Sequence, residues 1–445
     1  MSLPLNYSKN VINLEHLKLY KKDIMNNYKK SILSNKVPVF TIPIKGAKAT
    51  TALIMFKTGS RHETKENSGI SHFLEHLFFK GTKKRPNTLM LSSEMDSLGG
   101  EYNAFTSKEY TGYWFKVANN KLAKALDILG DMLFNSLFNP EEIEREKGVI
   151  IEELNMYEDN PQMHIEDIFE MVLYGDTPAG RETIGTKENI RNFKREDFIK
   201  YLQTQYGAQS VYVVLAGAVK PSNKKLVNKI FSEFKNNKQQ TKEVVVENQK
   251  TPQLKISPKK TDQVALSLGV RTVPADHPDE FKLKLLSIIL GGSMSSRLFI
   301  NLRERNGLAY YVRTNTEFYS DSGYLTTQAG VPKEKTEDAI KIILAEYKKI
   351  TTELVPAKEL KRAKDMFQGR VLLQMEASDN LANWYARQAM YRKKMLTPGE
   401  MLKIIKNISA EQIRTVARQI FVNKKLNLAL IGNVKGEKLK AILKL

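Results

Sequence analysis

The 445-residue chain contains no cysteine. That excludes disulfides and every zinc site built on thiolates, so any bound metal has to be held by histidine and carboxylate. Histidine is itself scarce, with six in the whole chain. No apolar run reaches the ~20 residues that span a bilayer, so no membrane segment is expected. The first 30 residues lack a continuous apolar stretch and carry Glu15 and Asp23, which argues against a secretory signal and an Arg-rich transit peptide. The expected location is therefore cytoplasmic, with an organelle matrix as the alternative. Helix–turn–helix, zinc-finger and aromatic RNA-binding signatures are missing as well. Without them, a formal net charge of +21 spread along the chain describes a solvated surface rather than a nucleic-acid partner.

The chain is too long for one ordinary core, and its pattern divides it. A Lys-, Gln- and Asn-rich stretch over 236–260 reads as a linker between domains over 34–235 and 261–445, with 1–33 as an N-terminal extension. The two flanking segments repeat one order of elements. Each opens on an alternating apolar strand, "TTALIMFKTGS" at 50–60 and "QVALSLGVRTV" at 263–273. An apolar helix follows, then a glycine pair (Gly99-Gly100; Gly291-Gly292) and a Gly-Tyr strand, "EYTGYWFKV" at 109–117 and "SDSGYLTTQAG" at 320–330. Long helices close each copy, "NPEEIEREKGVIIEEL" at 139–154 echoing "VPAKELKRAKDMFQGRVL" at 355–372. This order predicts an α+β fold of two homologous domains, each a largely antiparallel sheet packed with helices.

The copies differ where it matters. "SGISHFLEHLFFKGT" (68–82) places His72, Glu75 and His76 within five positions of an apolar run, and the second copy has no histidine there. On a helix, i and i+4 lie about 40° apart, so His72 and His76 can chelate one ion with Glu75 close to the same face. A catalytic zinc needs a third protein ligand and an open position. "EIEREKGVIIEELNMYED" offers Glu146, Glu152, Glu153 and Glu158. Glu146 and Glu153 are seven apart and share a stripe, whereas Glu152 points about 100° away. Their equivalents in the second copy are Ala363 and Arg370, so the carboxylates vanish together with the histidines.

H-x-x-E-H is the inverted zincin signature, and from about residue 34 onward the chain resembles the pitrilysin/insulinase family of zinc metallopeptidases. "HFLEHLFFKGT", "LGGEYNAFTSKEYTGY", "EKGVIIEELNMYEDNP" and "LRERNGLAYYV" carry the likeness. It is greatest to the half-length branch of bacterial processing proteases and the mitochondrial processing peptidase β subunit. The resemblance implies one zinc per chain held by His72, His76 and Glu153, with Glu75 as general base and Glu146 supporting the ligands. It also implies that Asn103 and Ala104 hold the substrate beside the metal, and that Arg303 and Tyr310 bind it near the scissile bond. The implied activity is zinc-dependent endopeptidase action on unfolded peptides or short protein segments, bound as an extended strand in a closed chamber. The alternative is a catalytically silent or partner-dependent subunit of a processing-peptidase-like complex. A chain of this length forms half of the family's clamshell, so a homodimer, or a heterodimer with a related subunit, is expected.

Overall fold

A computed structural model of the protein describes residues 28–237 and 239–445. The first sheet is built from β1 (Lys29–Ile32), β2 (Pro38–Pro43), β3 (Ala49–Phe56), β4 (Glu101–Thr106), β5 (Thr111–Ala118) and β6 (Val211–Gly217), in the order β1-β2-β6-β3-β5-β4. The second holds β7 (Gln253–Ser257), β8 (Gln263–Thr272), β9 (Tyr311–Phe318), β10 (Gly323–Pro332) and β11 (Leu426–Ile431), in the order β7-β11-β8-β10-β9. With β1 set aside the two orders coincide. Each sheet also has a single parallel pair, β2 with β6 and β7 with β11, among otherwise antiparallel neighbours. The fold is α+β with two homologous domains.

Two boundaries and one correspondence between the copies differ from the sequence reading. Lys29–Ile32 lies within the stretch taken as an extension, yet pairs with β2 as an edge strand; residues 1–27 lie outside the described residues. Gln253–Ser257 lies within the stretch taken as a linker, yet pairs with β11. The two glycine pairs are not equivalent either. Gly99-Gly100 stand directly before β4, whereas Gly291-Gly292 close a helix and a π-helical turn at Phe299–Glu304 intervenes before β9.

The first domain's helices are α1 (Ile70–Leu77), α2 (Thr88–Asp96), α3 (Leu122–Asn135), α4 (Pro140–Asp159), α5 (Pro161–Tyr174), α6 (Lys187–Asn192), α7 (Arg195–Gln205) and α8 (Asn223–Phe231). All but α5 contribute apolar side chains to one core with Ala52, Ile54, Phe56, Phe115, Val213 and Leu215 of the first sheet. After the linker come α9 (Glu280–Gly291), α10 (Thr336–Thr352), α11 (Ala357–Gln374), α12 (Ser378–Tyr391), α13 (Pro398–Asn407), α14 (Ala410–Ile420) and α15 (Gly436–Ile442).

The domains exchange one helix each. Ile165, Phe169 and Leu173 of α5 pack on Ala265, Tyr324, Ala429 and Ile431 of the second sheet. In return Leu381, Ala382, Tyr385 and Ala386 of α12 join the core that includes Phe40, Leu53, Met55 and Val214, on the far face of the first sheet. This exchange explains a departure from the sequence pattern. The alternation expected for the opening strands implies one wet face, but β3 from Thr50 to Phe56 and β8 from Val264 to Val270 are buried along their length. Strands covered on both faces carry near-continuous apolar runs. Among the described residues, no helix is long and apolar enough to cross a membrane.

Charged side chains also bind the domains together. The Arg61 side chain, fully buried, meets Glu109 at 2.9 Å and Asp321 at 2.6 Å, and Lys242 from the linker meets Asp321 at 2.7 Å. Lys108 and Glu170, both nearly inaccessible, pair at 2.9 Å. An isolated charge in such a place is costly, so each cation here sits against a carboxylate.

Candidate metal centre

The histidine helix is short, and eight residues form a stable helix only when tertiary packing holds them. Ile70, Phe73, Leu74 and Leu77 provide that hold by burial in the first core, leaving His72, Glu75 and His76 on the remaining stripe. The chain enters the helix through Gly69 at φ +99°, where a Cβ would come within 2.6 Å of the Ile184 carbonyl oxygen. The first-turn amides are capped by a distant carboxylate. Glu63 accepts from Gly69 N–H at 2.8 Å and Ser71 N–H at 2.9 Å. Burial pushes that carboxyl up to about 7.

Helix α4 presents the facing carboxylates. It starts at an Asn139 cap that accepts from Glu141 N–H, with Pro140 in its first turn and Glu141 and Glu142 beside the positive end of the helix dipole. Glu146 is buried in the shared interface and Glu153 is half-buried one stripe-length on. Glu152 is exposed and takes a hydrogen bond from Asn155 at 3.2 Å.

Three of the expected ligands converge. His76 Nε2 lies 3.4 Å and His72 Nε2 3.7 Å from the same Glu153 oxygen, Oε2. One ligand atom from each of the three residues falls within 4.8 Å of the others. The 3.7 Å gap is too long for a hydrogen bond. It suits a shared ion, because zinc bonds of about 2.0–2.2 Å in a tetrahedron separate ligand atoms by about 3.3–3.5 Å. The donor set, two imidazoles and one carboxylate with no thiolate, is also the one zinc takes in hydrolytic sites. The residues therefore fit zinc.

Glu146 stands behind them. Its Oε1 is 2.9 Å from His76 Nδ1 and its Oε2 is 2.6 Å from Lys80 Nζ. A carboxylate on Nδ1 holds the proton there and leaves Nε2 free as a ligand. The two histidines respond oppositely to their surroundings. Burial carries His72 down to about 4, with the charge of His76 adding to it. Burial also works against a charged His76, but Glu146 and Glu153 outweigh it and carry it up to about 9. The two carboxylates therefore create a place that favours positive charge. Glu75 is raised by burial, against the hydrogen bond from Thr106 Oγ1 at 2.6 Å that lowers it.

Thr106 belongs to β4, the edge strand beside α1. Asn103 and Ala104 are on the same strand, where Asn103 Oδ1 covers the Ala104 N–H at 2.8 Å. Arg303 and Tyr310 come together in the second domain, the guanidinium 5.8 Å from the centre of the tyrosine ring, with Tyr310 74% exposed. Among the described residues, no hydrogen bond or ion pair joins these two to His72, Glu75, His76 or Glu153. Sequence reasoning missed Thr106, Lys80 and Glu63. The first two had signals: Thr106 shares a strand face with Ala104, and Lys80 follows His76 by one helical turn. Glu63 had none, since only the fold brings it to the helix start.

Comparison with known proteins agrees with this architecture. Residues 39–187 match the model of Insulinase (Peptidase family M16), and residues 192–367 that of the Peptidase M16 inactive domain. The chain belongs to the insulinase (M16) peptidase family. Similar proteins include the uncharacterized zinc protease YmxG of Bacillus subtilis, 35% identical over 365 residues, covering 82% of this chain and 88% of the relative. An uncharacterized zinc protease of Rickettsia felis is 34% identical over 400 residues, covering 89% and 95%. Among solved structures, a protease from Helicobacter pylori superimposes with a TM-score of 0.87 over 92% of this chain and 100% of its own, at 22% identity. A chain of Complex III2 from Candida albicans does so with a TM-score of 0.81 over 94% and 100%, at 15% identity. These two likenesses establish the fold alone.

Proposed function

We propose that the protein is a zinc-dependent endopeptidase that hydrolyses unfolded peptides or short protein segments bound as extended strands. The convergence of His72 Nε2, His76 Nε2 and Glu153 Oε2 beside Glu75 carries this reading. His72, His76 and Glu153 would hold one zinc per chain, with Glu146 and Lys80 fixing the orientation of His76. Zinc supplies Lewis acidity toward a peptide carbonyl and toward a water molecule. Glu75, steadied by Thr106, takes the proton from the attacking water and delivers it to the leaving amine. Burial raises the Glu75 carboxyl above its ordinary value, which favours a group that must both accept and return a proton.

The outer edge of β4 is free to receive a peptide by strand addition. Asn103 caps the Ala104 amide when no peptide is present, which blunts the edge against unwanted pairing. On substrate binding the Asn103 side chain swings away and bonds the peptide instead. Arg303 and Tyr310 would supply donors to the substrate near the scissile bond. They would come from the second copy of a two-fold homodimer that closes the chamber.

The test is a peptide-library digest with and without a chelator, run on wild type and Glu75→Gln. Hydrolysis abolished by chelator, with Glu75→Gln still binding one zinc but cleaving nothing, is the expected result. A Glu75→Gln protein that cleaves at the wild-type rate, or binds no metal, would overturn the assignment.

A further inference from the structure

Duplication has left the second domain with the three elements that build the metal centre of the first. α9 stands where α1 does, β9 is the free edge as β4 is, and α11 corresponds to α4. The burial pattern fixes the phase. Ile143, Glu146 and Leu154 are buried on α4, and Leu360, Ala363 and Val371 on α11, which puts Arg370 at the position of Glu153. Strand register does the same for β9. Ala104 pairs with Tyr113 and Glu317 with Tyr324, each tyrosine following the glycine of its strand. Between α9, β9 and α11 lies a cavity of about 580 Å³ whose wall includes Gly292, Arg313, Glu317 and Arg370.

A carboxylate that would hold zinc has thus become a guanidinium beside open space. Arg370 donates to the Gly292 carbonyl at 2.7 Å, and Arg313 Nε donates to Gln328 Oε1 at 2.8 Å. Among the described residues neither arginine has a carboxylate partner. The other charges around the cavity are already engaged. Lys284 pairs with Glu280 at 2.6 Å, Glu317 faces Arg387 at 3.6 Å, and Glu166 accepts from the Tyr324 hydroxyl at 2.8 Å. Behind Arg313, Gln328 is 1% exposed and its Nε2 has no partner. Arg370 and Arg313 are thus two planar cations without a carboxylate of their own, of the geometry that grips a carboxylate in a fork.

We propose that this pocket is a second substrate subsite, in which Arg370 and Arg313 take a carboxylate of the bound peptide remote from the bond being cut. The inference rests on the peptide-binding reading above and narrows it to acid-bearing peptides. The same chemistry is offered by a chain's terminal carboxylate and by an Asp or Glu side chain near its end.

The experiment measures binding without turnover, using zinc-loaded Glu75→Gln protein and three fluorescently labelled peptides that share one sequence up to their C-terminal end. One ends in a free carboxylate, one in an amide, and one in an amide preceded by Glu. The carboxylate is expected to improve affinity about ten-fold, as a charge-assisted fork does. Changing Arg370 and Arg313 together to Gln should remove that advantage while leaving the amide peptide's affinity as it was. Arg370→Lys, which keeps the charge but not the fork, should retain only part of it. Gain by either acidic peptide supports the site and identifies the source of the carboxylate. Equal affinity for all three, or a preference that survives in the Arg-to-Gln protein, overturns it. Because nothing is cleaved, this failure is distinct from loss of chelator-sensitive hydrolysis, which would overturn the peptidase reading instead.

Discussion

Glu146 gives the sharpest quantitative test of the metal centre, because it orients a predicted ligand without being one itself. It is 3% exposed, bonded to His76 Nδ1 at 2.9 Å and to Lys80 at 2.6 Å. Glu146→Gln preserves volume and one acceptor but sets an amide N–H against the Lys80 ammonium, donor against donor. Loss of a carboxylate behind a ligating histidine typically weakens metal binding 10–100-fold, which is about 1.4–2.7 kcal/mol. Glu153→Gln should weaken it further, since the oxygen removed is the one both histidines face. Glu152→Gln should change it less than about two-fold, because that side chain is exposed and meets only Asn155. Competition for zinc against a chromophoric chelator, at one pH and without substrate, reads all three. The reasoning fails if Glu152→Gln is the more damaging of the neighbours. It fails equally if Glu146→Gln binds zinc like wild type.

Further outcomes follow from other parts of the molecule. Burial pushes the Asp321 carboxyl up, but Arg61 and Lys242 outweigh it and hold it at about 2, below its ordinary 3.8. Its stabilisation, about 2 kcal/mol, is therefore present above pH 4 and lost as pH falls through 2. Urea melts at stepped pH should show this loss in wild type and not in Asp321→Asn; identical profiles would remove Asp321 from the account. Gly69→Ala should cost about 1–3 kcal/mol through its positive φ and the contact with Ile184, lowering both melting temperature and zinc affinity. An unchanged melting curve would show that the helix start tolerates a side chain. Mixing inactive Glu75→Gln with weakened Arg303→Ala/Tyr310→Phe under exchanging conditions should restore activity, since some mixed dimers hold one intact site. No recovery, with a wild-type chain that works as a monomer, would end the shared-site model.

The candidate site was legible in sequence where it depends on one helix's geometry. His72 and His76 share a face by spacing alone, and Glu146 and Glu153 share a stripe for the same reason. The duplication was legible too, because each copy repeats its Gly-Tyr strand and the long helices that close it. What could not be read were relations between elements. The pattern of "PQMHIEDIFEMVLY" says that one face of α5 is buried, not that it is buried on the other domain's sheet. For the same reason β3 was expected to have a wet face that α12, more than 300 residues later, covers. Glu63 reaches the metal helix only through folding, and local pattern carries no trace of such a meeting.

The helix exchange has a consequence for how a load applied at one end of the molecule is felt at the other. α4, which carries Glu153, and α5, which lies on the second sheet, meet at a single residue. Asn160 ends the first helix and caps the second, its side chain accepting from Gln162 and Met163 N–H. A peptide drawing on β9 or α11 would load the sheet on which α5 rests, and a single non-helical residue separates α5 from the helix that carries Glu153. Two nearby parts are likewise clamped, Lys108 to α5 through Glu170 and Arg61 to the second domain through Asp321. The hinge that proteins of two domains usually place in their linker is here stapled shut on both sides. Occupancy of the distal pocket should therefore register as a displacement of Glu153, making the carboxylate ligand the gauge of whether the second domain is filled.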